Sequence, residues 1–187
     1  MPVVPCKLLT YKRQYSSCQI TVPDVDARLS AIEIDGQYYS LFRRFDHAEA
    51  SIAALNKLSQ QDGDVFALTK QKRSYVLWVL ESEAQAAMTR GGQPERAWPT
   101  CGPANCLILG DAKQHRQCYV QVPDLVQPVV AVCYEDRFYS VYQTGLGAPA
   151  ALALATQFAR RGNENAIAHT PKGYAVCLWE PEVSQKP

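Results

Sequence analysis

The chain repeats itself at a spacing of 100 residues. Cys6 and Cys18 return as Cys106 and Cys118, and Val22-Pro23-Asp24 returns as Val122-Pro123-Asp124. Ala31, Tyr39 and Ser40 return as Ala131, Tyr139 and Ser140. Between Cys18 and Phe42, seven of twenty-five positions are identical to the stretch Cys118 to Tyr142, without a gap. Average composition gives about one or two such matches by accident. Other pairs keep their character, such as Ile20/Val120, Ile32/Val132 and Tyr38/Phe138. A repeat of this length decides the architecture before any local pattern does. The expected fold is α+β: a tandem duplication of an antiparallel unit, related by a pseudo-twofold. The expected boundaries are a first repeat at 1–83, a linker at 84–100 and a second repeat at 101–187.

Each unit reads as four strands, one helix and two strands. Cys18, Ile20 and Val22 alternate with polar Gln19 and Thr21, the period of a half-buried strand. A turn near Lys12 is expected to set Cys6 opposite Cys18 in a hairpin, as Gly110-Asp111 does between Cys106 and Cys118. Pro23 and Asp24 end the strand. Asp35-Gly36, between two β-rich runs, marks the next hairpin, with Glu135-Asp136 in the same place in the copy. Asp46 with Glu49 looks like a capping box, and Ala48, Ile52, Leu55 and Leu58 follow at helical spacing. Gly63 is the expected stop. In the copy, Pro149 suits a first helical turn and Gly162 an end. The closing hairpins run from Val65 to Leu80, turning at Lys70 to Ser74, and from Ala166 to Trp179, turning at Pro171-Lys172-Gly173.

Composition excludes some classes. The chain has 47% hydrophobic and 20% charged residues, as ordinary globular proteins do. Its longest apolar runs, such as Tyr75 to Leu80, are far short of a membrane span. Residues 1–90 carry 11 basic and 10 acidic side chains, and 91–187 carry 8 and 8. Neither half has the excess that non-specific nucleic-acid binding requires. Met-Pro-Val-Val-Pro shows no secretory signal, so a cytoplasmic location with reduced thiols is expected. Seven cysteines, an odd number, also exclude complete intramolecular pairing.

Cys6, Cys18, Cys106 and Cys118 are the candidate metal ligands. Eleven intervening residues suit a zinc knuckle poorly, and these cysteines share a face with Ile20, Val22, Val120 and Val122, so buried thiols are the expectation. Cys101-Gly-Pro-Ala-Asn-Cys106 spaces its cysteines too widely for a thioredoxin-like motif. Cys133 and Cys177, which replace Glu33 and Trp78, suggest local packing choices. The three histidines, His47, His115 and His169, do not recur between copies. No reaction motif appears, and no cofactor is expected. Basic residues interleave with aromatics at Tyr11 to Tyr15, Arg43-Arg44-Phe45 and Lys70 to Tyr75, a pattern the second copy has mostly lost. Tyr38 and Tyr39 must point to opposite faces, so one of them is surplus to a single core.

These residues point to a non-catalytic protein-binding module, an assembly factor or accessory subunit, with another protein as partner. Tyr39, Arg43, Arg44, Trp98 and Tyr139 are the candidate contacts. Two other classes stay open: a small-ligand or enzymatic site in the groove between the repeats, lined by His115 or His169 with carboxylates, and nucleic-acid binding through the basic-aromatic face of repeat one.

Overall fold

Cys6–Leu9 forms the first strand, β1, and three of its four residues are buried. A strand apolar on both faces belongs inside a sheet covered on both sides. The computed structural model describes residues 3–60, 64–88, 91–94, 102–123 and 125–185, and in it β1 lies at the centre of one fourteen-stranded sheet. The expected hairpin of Cys6 with Cys18 is corrected. β1 pairs in parallel with β5 (Phe66–Lys70), with Leu8 beside Leu68. Its other edge pairs antiparallel with β8 (Asn105–Leu109), which sets Cys6 opposite Cys106. β8 pairs in turn with β12 (Asn165–Thr170), again in parallel. The fold is therefore α+β with a large, mostly antiparallel sheet and two helices, and two parallel pairings interrupt the antiparallel rule.

Outward from β1, β5 is followed by β6 (Tyr75–Leu80), β4 (Gln37–Phe45), β3 (Val25–Ile34), β2 (Ser16–Val22) and the short β7 (Gln85–Ala86). Outward from β8, β12 is followed by β13 (Gly173–Trp179), β11 (Arg137–Leu146), β10 (Val129–Tyr134), β9 (Arg116–Gln121) and the short β14 (Ser184–Gln185). β7 pairs with β2, so the expected linker begins inside the sheet. The β3–β4 turn has φ +51° at Asp35 and +79° at Gly36, the left-handed pair that a two-residue hairpin needs. Glu135 and Asp136 adopt φ +45° and +60°, so the copy makes the same turn without glycine.

The two helices are α1 (Ala48–Leu58) and α2 (Ala148–Arg160). The Asp46 cap is corrected: His47 precedes the helix, with no side-chain cap bond. β4 stays paired as far as Phe45, opposite Tyr75, so Asp46 belongs to the bend that leaves the strand. α1 ends at Leu58, and the expected stop at Gly63 lies outside the described residues. Pro149 sits in the first turn of α2, and Gly162 follows its end at φ +85°.

Both helices cover one face of the sheet centre. Ile52 and Leu55 of α1 share a core with Leu152, Ala155 and Phe158 of α2 and with Cys6, Leu8, Cys106 and Ile108 beneath them. The opposite face curls on itself twice. Leu9, Ile32, Tyr39 and Val76 fill one curl, and Leu109, Val132, Tyr139 and Cys177 fill the other. Contacts also cross between the halves. The Gly110 N–H donates to Asn56 Oδ1 at 2.9 Å, and the Gly102 N–H donates to Asp35 Oδ1 at 2.7 Å. A Cβ on Gly110 would lie 2.2 Å from Asn56 Cγ, and one on Gly102 2.3 Å from Asp35 Oδ2, so both approaches need glycine. Among the described residues no helix is long and apolar enough to cross a membrane.

Candidate functional sites

A β-bulge in β4 between Leu41 and Arg43 shifts the register with β6, and Leu41, Phe42, Arg43 and Arg44 are all exposed. Phe42, 50% exposed, makes an edge-type contact with the Phe66 ring, with centroids 6.2 Å apart. Phe45 opposite Tyr75 and Tyr75 opposite Lys70 bring the end of β4 beside the β5–β6 turn. There Lys70, Lys72 and Arg73 are exposed. Five cations from two stretches of chain thus meet at one end of the sheet. Asp46 and Glu49 are the acids nearest them in sequence. Asp35 in the β3–β4 turn, Asp64 before β5 and Glu81 after β6 occupy the opposite end, whereas Asp24 and Asp26 flank the β2–β3 turn toward the basic end. Each half is nearly neutral by count, yet in this half five cations are concentrated at the β4 end and the β5–β6 turn. By strand register the corresponding positions of the second half are Gln143, Thr144, His169, Pro171 and Lys172, with one lysine and no arginine among them.

The candidate contacts fall into two groups. Arg43 and Arg44 are both exposed, on opposite faces of β4. Tyr39 and Tyr139, each 1% exposed, lie inside the two curls, so their rings are out of a partner's reach in this fold. Burial pushes the Tyr139 hydroxyl up to about 12, although the Arg137 charge opposes the shift. Trp98 lies outside the described residues. The surplus ring is the neighbour in sequence: Tyr38 and Phe138 are only half-buried.

The four repeated cysteines do not gather. Cys6 and Cys106 face each other in the buried centre, whereas Cys18 on β2 and Cys118 on β9 lie second from opposite ends of the sheet. Burial raises the Cys106 thiol well above its usual value, which suits a packed thiol and not a ligand. Among the described residues no group of three or more histidines, cysteines or carboxylates is placed to hold a metal ion.

A second candidate is an open cleft of about 970 Å³ where the halves meet. Val3 and Gln60 come from the first half, and Lys113–Arg116 and Cys133–Asp136 from the second. Arg116 opens β9 directly opposite Cys133 on β10. A hydrogen bond to Cys133 raises the Arg116 guanidinium's pKa. The Tyr134 hydroxyl accepts from the Val3 N–H and donates to Glu135 Oε1 at 3.0 Å. His115 Nδ1 is buried without a hydrogen-bond partner, and burial lowers the imidazole's pKa against the pull of Asp111. His169 lies elsewhere, edge-on to Tyr174 at 5.5 Å. Sequence reasoning treated Cys133 as packing. The available signal was a paired change, Ser16/Glu33 to Arg116/Cys133, and it becomes visible only once the β9–β10 register is known.

The fold and these surfaces define an α+β protein with a basic strand end in its first half and a junctional cleft. Comparison of the chain with protein-family models, with curated proteins and with solved structures finds no match.

Proposed function

We propose that the protein is a non-catalytic binding module that docks an acidic segment of a protein partner on the basic end of its first half. The observation that carries this reading is the meeting of Arg43, Arg44, Lys70, Lys72 and Arg73 at one end of the sheet, with exposed Leu41 and Phe42 just before the two arginines on β4. Opposite charge sets partner choice and encounter rate, and a flanking apolar pair supplies the desolvated contact. A nucleic-acid strand fits less well, because stacking along a strand needs a series of open ring faces, and beside half-exposed Phe42 the other rings of the basic stretches are covered. The Tyr11 ring lies under Arg160 at 4.6 Å, the Phe45 ring under Arg43 at 5.5 Å, and Tyr75 is buried.

The reading includes a tandem duplication, with units 1–83 and 101–187 related by a pseudo-twofold and joined by 84–100. Bonds that recur near the 100-residue spacing support it. Val4 N–H donates to Ser59 O at 3.0 Å, and Ala104 N–H to Ala159 O at 2.9 Å. Ser40 Oγ donates to Glu81 Oε1 at 2.6 Å, and Ser140 Oγ to Glu180 Oε1 at 2.5 Å. Divergence of the basic end between the copies suits an asymmetric partner. The six described cysteines are free thiols, which suits a reducing compartment, so the proposed location is the cytoplasm.

The test is affinity purification with mass spectrometry from the native host, comparing the wild-type chain with Arg43→Glu/Arg44→Glu. The expected result is loss of one or more protein partners, with an unchanged melting temperature. If every co-purifying protein stays bound, the site assignment is wrong. If a labelled single-stranded oligonucleotide binds the wild type and not the double variant, while a Glu-rich peptide binds neither, the partner is a nucleic acid.

A further inference from the structure

In the first half, Ser16 Oγ donates to Glu33 Oε2 at 3.1 Å, and the Gly36 N–H donates to Glu33 Oε1 at 2.5 Å. That carboxylate is buried and held by its own neighbours. At the corresponding positions the second half has Arg116 and Cys133, and here the wall opens into the junctional cleft. The change replaces a closed polar pair with a thiol beside a cation at the edge of a cavity. We propose that Cys133 is a thiol–disulfide exchange site for a small, carboxylate-bearing disulfide of the glutathione class, held in the cleft by Arg116 and Lys113.

Three observations carry the assignment. Reactive thiols need an electropositive neighbour and access, since the thiolate is the nucleophile. Cys133 has both: Arg116 lies directly opposite it on β9, and although the residue is only 6% exposed it forms part of the cleft wall. Cys118 also feels the Arg116 charge, but it is not part of the cleft wall, whereas Cys133 is. Burial raises Cys106, Cys118 and Cys177, the last to about 12, and Cys6 lies in the core beneath the helices. The cleft also suits the ligand. Lys113 and Arg116 can pair with carboxylates, while Glu135 and Asp136 can accept an ammonium group, and His115 offers an unused buried nitrogen.

The step balances as an exchange. The Cys133 thiol gives its proton to solvent, and the thiolate attacks one sulfur of the small disulfide. The sulfur–sulfur bond of that disulfide breaks, a mixed disulfide forms on Cys133, and the second half leaves as a thiolate that takes a proton from water. The small disulfide is the oxidant. Cys118 shares the sheet face with Cys133 but sits diagonally, because its direct partner is Ala131. Diagonal Cα spacings are about 7–8 Å, beyond the usual disulfide range, so the adduct persists and is not displaced by Cys118.

The experiment uses the reduced full-length chain in a Cys101→Ser background, treated with oxidised glutathione and followed by intact mass and peptide mapping. The expected result is one glutathione adduct per folded chain, on Cys133, absent in Cys133→Ser. Arg116→Gln should slow the reaction by at least about threefold, because the variant loses both the positive charge beside the attacking sulfur and a partner for the reagent's carboxylates. The slowing should be smaller for uncharged hydroxyethyl disulfide, which has no carboxylates to pair. No adduct, an adduct on another cysteine, or equal slowing for both reagents would overturn the proposal. Because Arg116 is exposed, Arg116→Gln should keep the wild-type melting temperature and so separates chemistry from misfolding.

Discussion

Leu55→Ala tests whether the halves share one core. Leu55 sits on α1, fully buried, in a cluster that includes Leu152 and Ala155 of α2 and Ile108 and Ile167 of the second half. Truncating a buried leucine costs about 3 kcal/mol, from lost transfer energy and the cavity left behind. If the cluster is one cooperative unit, that loss lowers the opening free energy of every strand beneath the helices. At 1.36 kcal/mol per tenfold, globally exchanging amides should exchange roughly 150-fold faster. Native-state hydrogen exchange reads this strand by strand. Amides of β12 and β13, which belong to the other half, should accelerate as much as those of β5 and β6. A single denaturant transition should shift to lower concentration with an unchanged slope. If β12 and β13 keep their protection while β5 and β6 lose theirs, the halves are independent domains and the shared-core argument fails.

Other outcomes are as direct. Gly110→Ala forces Asn56 to swing away, leaving the Gly110 N–H and the Gln60 amide without that acceptor. The expected loss is about 1–2 kcal/mol by thermal or urea unfolding. Adding Asn56→Ala should make the alanine at 110 nearly neutral, and an additive double variant would refute the contact. The raised Tyr139 hydroxyl makes stability fall at high pH. Above about pH 10 the unfolded tyrosine ionises while the folded one stays protonated, so the contribution is complete below pH 10 and is lost as pH rises toward 12. Tyr139→Phe should remove on the order of 2 kcal/mol of that pH dependence, and an unchanged alkaline unfolding midpoint would contradict the burial.

Local chemistry was the most legible part of the chain. Asp35-Gly36, Pro149 and Gly162 each announce a backbone conformation that depends on their own side chains, and each adopts it. Partner choice was not legible in the same way. Alternation around Cys18 marks a strand but not its neighbour, and β1, apolar on both faces, found partners roughly 60 and 100 residues away in place of the nearby β2. Asp46 has the chemistry of a cap, but the β4–β6 ladder runs long enough to take its place. Tyr38 and Tyr39 were ambiguous because both faces of the strand carry a ring. The basic end was half visible: Arg43-Arg44 and Lys70 to Arg73 each stand out, and only the order β4–β6–β5 unites them. The cleft draws on four separate stretches, so no single run of sequence betrays it.

The antiparallel seam of β1 with β8 has a consequence for biosynthesis. During translation β1 can settle against β5 once residue 70 has emerged, but its other edge waits for residues 105–106. At about 5–20 residues per second that strand edge stays open for roughly 2–7 s after β5 appears. An unpaired apolar edge is a template for neighbouring nascent chains on the same message. Recombinant yield should therefore depend on codon speed between positions 70 and 106, with slow codons there favouring inclusion bodies.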